Sequence, residues 1–272
     1  MARIVVISSW VGFGHVGLSA AQPAIQALGH EVLGLPTVVL SNHPGWPKVA
    51  GRHCAPDDLA AMLEAQAANG WLEDVTAVLT GYLPTPAHIA FACDAITRVR
   101  AHSPGCRIVL DPVLGDAPKG LYLPEAAAAA LRKVLLSRAD VLTPNAFELG
   151  WLSQGSTASL GAAQETAARL FETCDVRAIY VTSAPVSPTE TGVLAVTHTG
   201  TELYQVPKRA GVPNGPGDVF SALIATGQAP GQALGRLDAL ISSSLGAPHL
   251  RIAETAALWT KAPSVTASQI GR

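Results

Sequence analysis

Arg3-Ile4-Val5-Val6-Ile7-Ser8-Ser9 is a short continuous run of apolar, mostly β-branched residues, the pattern of a strand buried on both faces. A helical pattern follows it over Leu18–Leu28 and stops at Gly29, where a glycine just past a helix end belongs. The same alternation continues down the chain. Strands are predicted at Ile4–Ser8, Val75–Leu79, Arg107–Leu110, Val141–Thr143 and Ala178–Val181. Helices are predicted from Pro56 to about Asn69, with a proline and two acids in the first turn, and over Pro86–Ala101, Pro124–Leu136 and Leu160–Phe171. Parallel strands need crossover helices, so the economical architecture is an α/β fold: a doubly wound, mostly parallel central sheet with helices on both faces. After Val181 the texture changes. Gly192–Thr197 and Thr201–Val206 flank Thr199-Gly200, which predicts an antiparallel hairpin at the sheet edge. Helices return over Asp218–Thr226 and Gln232–Leu245, and with no repeat or low-complexity linker, residues 1–272 are expected to form one domain.

Composition narrows the function. Of 272 residues, 49% are apolar and only 14% charged, with a formal net charge of -2, so the chain can build a large core and lacks the basic footprint of nucleic-acid or acidic-membrane binding. A small neutral or anionic ligand suits it better. Cys54, Cys93, Cys106 and Cys174 form no C-x-x-C pair, which argues against a zinc site or redox dithiol and for reduced thiols. The first strand begins almost at once, without a basic n-region, and the alanine run Ala126–Ala130 meets Arg132 and Lys133 long before it could span a bilayer. The expectation is a soluble, cytoplasmic protein.

In open α/β sheets ligands bind beyond the carboxyl ends of the strands. Five polar or glycine-rich segments fall there: Ser8–His15, Gly81-Tyr82-Leu83, Asp111–Asp116, Thr143–Glu148 and Thr182-Ser183. The most informative stretch is Asn214-Gly215-Pro216-Gly217-Asp218, just before a helix. Its glycines would let backbone N–H groups approach an anion at a helix N-terminus, and Asp218 could take a proton from an attacking hydroxyl. A tight turn with an acid favouring the helix dipole explains the segment equally. Asp111, Asp116, Asn145 and Glu148 could gather where phosphates need Mg²⁺, although Asn145 with Glu148 also reads as a helix N-cap with a carboxylate at the third position. Ser9 and His15 fall in the expected first βα loop. Gly12-x-Gly14-x-x-Gly17 matches a dinucleotide fingerprint, but the acid required about 20 residues on, at the end of a second strand, is missing: Glu31 begins that strand and Leu35-Pro36 closes it. His43 and His53 bracket a Pro/Gly/Trp-rich stretch that could fold over a ligand.

The order of these segments resembles the pyridoxal kinase branch of the ribokinase-like superfamily over most of the chain. The resemblance rests on Ser41-Asn42-His43, Gly81-Tyr82-Leu83, Asp111–Asp116, Tyr122-Leu123-Pro124-Glu125, Thr143-Pro144-Asn145-x-Phe147-Glu148, Thr182-Ser183 and Gly215-x-Gly217-Asp218. It implies ATP-dependent phosphorylation of the 5′-hydroxymethyl group of pyridoxal, pyridoxine or pyridoxamine. In that scheme Asp218 is the base and Gly215 and Gly217 form the anion hole, while Ser9, His43 and Tyr82 line the vitamer pocket. Asp111, Asp116, Tyr122, Thr143, Thr182 and Ser183 contact the nucleotide, and Asp111, Asn145 and Glu148 organise Mg²⁺, partly through water. ATP and Mg²⁺ are the implied cofactors, with K⁺ as an optional monovalent ion, and a homodimer is the implied assembly. Three residues depart from the pattern. Pro216 brings no N–H to the anion hole, Pro44 replaces a common Thr, and Trp10 puts a bulky ring after Ser9. Alternatives on the same fold are a kinase for another hydroxymethyl compound, a pyrimidine or a sugar, and a catalytically weak vitamer-binding protein.

Overall fold

The structure, a computed structural model, describes residues 1–270. Its strands are β1 (Arg3–Phe13), β2 (Glu31–Asn42), β3 (Gly51–His53), β4 (Val75–Thr80), β5 (Arg107–Leu110), β6 (Gly115–Asp116), β7 (Gly120–Leu121), β8 (Val141–Leu142), β9 (Ala178–Val181), β10 (Glu190–Thr197), β11 (Gly200–Pro207) and β12 (Ala267–Gln269). The α-helices are α1 (Leu18–Gln26), α2 (Pro56–Ala68), α3 (Pro86–His102), α4 (Glu125–Ala130), α5 (Ala146–Ser153), α6 (Leu160–Thr173), α7 (Pro216–Ala225), α8 (Pro230–Ser244) and α9 (Ala256–Trp259). Ten strands form one sheet in the order β12-β11-β10-β9-β8-β5-β4-β1-β2-β3, and β6 pairs with β7 in a separate small hairpin. The six central strands, β9 to β2 in that order, run parallel. The flanking strands β3, β10, β11 and β12 pair antiparallel. This is the doubly wound sheet that the alternating pattern predicts, with the expected edge hairpin as β10–β11.

Alternation along β1 explains why the sheet needs helices on both faces. Val5 and Ile7 join the core beneath α2, α3 and α6, whereas Ile4 and Val6 join the core beneath α1, α7 and α8. All four side chains are inaccessible to solvent, and burying a side chain of this size contributes about 1.5–3 kcal/mol. From β1 the chain winds one way to β2 and the other way through β4, β5, β8 and β9, so the strand order reverses between β1 and β4. That switch point is where an open sheet presents its crevice.

Three features depart from the sequence reading. The first strand does not end at Ser8. It continues to Phe13, so Ser9 lies within β1 rather than in a βα loop. The second strand does not close at Leu35-Pro36 but runs on to Asn42, with an irregular register opposite Ser8–Trp10 that accommodates Pro36 and its missing N–H. Gly12 is consequently part of an extended strand, and the glycine-rich fingerprint is not a phosphate loop. Finally, the helix expected over Pro124–Leu136 keeps α geometry only to Ala130 before widening over Leu131–Leu135. Among the described residues no helix is long and apolar enough to cross a membrane.

Candidate active site

Helix α7 points its N-terminus at the switch-point crevice. Gly215 caps it with φ 103°, in the left-handed region that glycine tolerates, and a β-carbon there would collide with the His15 carbonyl. Pro216 occupies the first helical turn, where its fixed φ is preorganised and a missing N–H costs the helix nothing. Asp218 follows in that turn. Its carboxylate accepts backbone N–H bonds from Gly17 and from its own residue, which favour the ionised form, but burial outweighs them and pushes its pKa up to about 6.

Two further carboxylates stand beside it. Asp111, at the end of β5, is 6% exposed and accepts a hydrogen bond of 2.8 Å from Ser221 Oγ, one turn along α7 from Asp218. Burial and the negative charges of Glu148 and Asp218 hold its carboxyl well above the usual range. Glu148, 4% exposed, accepts N–H bonds from Leu114 (2.8 Å), Gly115 (3.4 Å) and Asn145 (2.9 Å), yet burial and Asp218 still raise it to about 7. The loop from Asp111 to Gly115 is contorted to make these contacts. Val113 sits at φ 40°, an unfavourable conformation for a β-branched residue, and strain of this kind concentrates at functional sites. Three buried carboxyl groups raised chiefly by desolvation, with Asp218 acting on both others, mark a place where a cation would favour the ionised forms.

Asn145 and Glu148 form a reciprocal capping box at the start of α5: Asn145 Oδ1 accepts the Glu148 N–H at 2.9 Å while Glu148 accepts the Asn145 N–H. The structural and functional readings of this pair therefore coexist. Asn145 Nδ2 also donates to the Gly115 carbonyl at 2.8 Å, so both ends of its amide are engaged within the protein. Among the described residues no three His, Cys, Asp or Glu side chains are placed to grip a metal together. The donor set fits Mg²⁺ held largely through its own waters, which Asp111 and Glu148 can accept as hydrogen-bond donors.

The other sequence candidates fall around this centre. Tyr82 is half-buried after β4; its N–H donates to Ser8 Oγ (3.1 Å) and its carbonyl accepts from Thr37 Oγ1 (2.7 Å). Thr143 is 3% exposed with its hydroxyl against Ser221 Oγ at 2.8 Å, so it reaches the centre only through Ser221 and Asp111. Thr182 bridges to Asn145 at the end of β9, and Ser183 beside it is exposed at φ 51°. Asp116 and Tyr122 belong to the β6–β7 hairpin region, with the Tyr122 hydroxyl raised by burial and by Asp116. His43 lies at the mouth with Nδ1 3.5 Å from Asn214 Nδ2, and burial lowers its pKa. Ser9 and Trp10, as successive strand residues, point to opposite faces, which takes the Trp10 ring away from Ser9. Sequence reading missed Ser221, whose signal was its spacing three residues after Asp218, and Gly17, whose N–H holds the Asp218 carboxylate.

A glycine-capped helix carrying a raised Asp, facing carboxylates suited to a hydrated divalent cation at the switch point of a doubly wound sheet, defines the class of ribokinase-like small-molecule kinases. The sequence profile of the phosphomethylpyrimidine kinase family matches residues 48–237. A pyridoxal kinase of Granulibacter bethesdensis is 35% identical over 227 residues, covering 81% of this chain and 79% of its own length. One from Deinococcus radiodurans is 36% identical over 231 residues, covering 81% and 77%. The solved structure of Leishmania donovani pyridoxal kinase with ADP and pyridoxamine superposes at a TM-score of 0.90, with 30% identity and full coverage of both chains. At 22% identity, the Entamoeba histolytica pyridoxal kinase shares the fold, with a TM-score of 0.90 and 99% of this chain covered. The chain belongs to the pyridoxal kinase family of ribokinase-like enzymes.

Proposed function

We propose that this chain transfers the γ-phosphoryl group of ATP to the 5′-hydroxymethyl group of pyridoxal, pyridoxine or pyridoxamine, with Asp218 as general base. The observation that carries the reading is Asp218 itself: a carboxylate raised to about 6 at a glycine-capped helix N-terminus, ionised at neutral pH yet basic enough to take a proton. The substrate oxygen forms a bond to the γ-phosphorus as its proton passes to Asp218. The bond from that phosphorus to the β,γ-bridging oxygen breaks, and its electron pair leaves on ADP. The N-terminus of α7, with the Gly215 and Gly217 N–H groups as the anion hole, stabilises charge on the transferring phosphoryl, and Pro216 contributes no donor. Asp111 and Glu148 would hold Mg²⁺ through its waters, and the ion would supply charge neutralisation of the phosphates. Ser221 orients Asp111, and Thr143 supports Ser221.

Ser9, His43 and Tyr82 are assigned to the vitamer side, and Asp116, Tyr122, Thr182 and Ser183 to the nucleotide side. We also propose a cytoplasmic homodimer, as the family resemblance implies. The test is ATP-dependent formation of pyridoxal 5′-phosphate by the purified protein. Turnover of hydroxymethylpyrimidine or a sugar with no B6 vitamer accepted would reassign the substrate while keeping Asp218.

A further inference from the structure

The centre gathers three buried carboxyl groups, Asp111, Glu148 and Asp218, each raised chiefly by burial, with Asp218 acting on Glu148 and both acting on Asp111. Binding a nucleotide triphosphate adds more negative charge, while Pro216 removes one N–H from the turn that would meet it. A side-chain cation within reach would offset both, and the β6–β7 hairpin holds one at its tip.

The hairpin is fastened to the metal side of the site. Glu148 Oε1 accepts the Gly115 N–H, and Asn145 Nδ2 donates to the Gly115 carbonyl. The closeness of the two strands requires glycine, since a β-carbon at Gly115 would meet the Gly120 carbonyl and the Phe147 ring. Lys119 is therefore carried on a backbone whose position is set by Glu148. Its charge acts on His43, and His43 in turn touches Asn214 at the start of the glycine-rich turn. The ammonium thus sits at the free end of a hairpin whose base is tied to Glu148 and Asn145. Its present partner is weak: Nζ is 3.4 Å from Asp116 Oδ2, with the Lys119 side chain 65% exposed. Exposed pairs of this kind contribute about 0–1 kcal/mol, so little holds the lysine back from a better anion.

We propose that Lys119 is a catalytic residue of the phosphoryl transfer, leaving Asp116 when nucleotide binds and donating to a non-bridging oxygen of the γ-phosphoryl group. The inference rests on the kinase reading above. It makes no bond to phosphorus; it neutralises charge on oxygens that become more exposed to it as the bridging bond breaks, replacing the donor lost at Pro216.

The test compares Lys119→Ala and Lys119→Arg with the parent in two assays. In steady-state phosphorylation Lys119→Ala lowers kcat by about 10²-fold with the vitamer KM within twofold, and Lys119→Arg restores at least a tenth of the parental rate. In titration calorimetry with Mg²⁺, without vitamer, Lys119→Ala weakens binding of the non-hydrolysable triphosphate analogue AMP-PNP about tenfold and leaves ADP unchanged. A kcat within twofold of the parent, or equal loss for ADP and AMP-PNP, would overturn the assignment. The binding arm needs no knowledge of the phosphoryl acceptor, so a parent inactive on every vitamer would sink the substrate reading without touching the result for Lys119.

Discussion

Replacing Asp218 by Asn should make the ligand-free protein more stable while removing its activity. Burial raises the Asp218 pKa from 3.8 to about 6, so its charge is disfavoured in the native state at neutral pH. A difference of about two units corresponds to at most ~3 kcal/mol. Asp218 is partly open to the crevice and its titration is shared with Asp111 and Glu148, so solvent screening and coupling reduce the expected gain to about 1–2 kcal/mol. The isosteric amide keeps one oxygen for the Gly17 N–H. For a chain of this size each kcal/mol moves Tm by roughly 2–4 °C, so a rise of several degrees at pH 7.5 is expected. The sign of the pH dependence is also fixed. The native state holds the extra proton between about pH 4 and 6, so the parent's Asp218 is least destabilising below the unfolded pKa, loses stability as pH rises through that window, and is level above it. The gain from Asp218→Asn should therefore vanish near pH 4. Scanning calorimetry of both proteins from pH 4 to 8 measures this. An Asn variant no more stable at pH 7.5, or a gain that persists unchanged at pH 4, would refute the claim that this carboxylate is buried against its preference.

Other outcomes follow from the same geometry. The kcat/KM profile of the parent should fall as pH drops through about 7 to 6, where Glu148 and Asp218 take up protons, and level off above that range until another group intervenes. Ser221→Ala removes the hydrogen bond that favours ionised Asp111, and calorimetric Mg²⁺ titration in the presence of AMP-PNP should show affinity weakened several-fold. Gly215→Ala places a β-carbon against the His15 carbonyl at a left-handed φ, so kcat should drop at least tenfold and Tm should fall; a variant that crystallises with an unchanged turn would contradict this. Pro216→Thr restores an N–H and should raise kcat a few-fold without changing the vitamer KM.

The core of the sheet was legible because β4, β5, β8 and β9 are short apolar runs buried on both faces, and such runs carry their own length in the sequence. The extension of β1 and β2 beyond Ser8 and Pro36 was not. Those stretches carry Trp10, Gly12, Pro36 and Ser41 and no regular burial period, and they are held extended by pairing with each other and, for β2, with β3. The candidate site was visible as residue types at strand ends, and Asp111, Glu148 and Asp218 do converge. Their mutual electrostatics were not visible, because they depend on burial and on Ser221, Gly17 and Gly115, which look like ordinary helix and turn residues in the sequence.

The most direct measurement is ATP-dependent production of pyridoxal 5′-phosphate from pyridoxal by the parent and by Asp218→Asn, each shown by calorimetry to be folded and to bind AMP-PNP. The expected result is turnover by the parent and a loss of about 10²–10⁴-fold in kcat for the variant, with nucleotide affinity within a few-fold. A folded, nucleotide-binding Asn variant that retains kcat within a few-fold of the parent would contradict the assignment of Asp218 as the base.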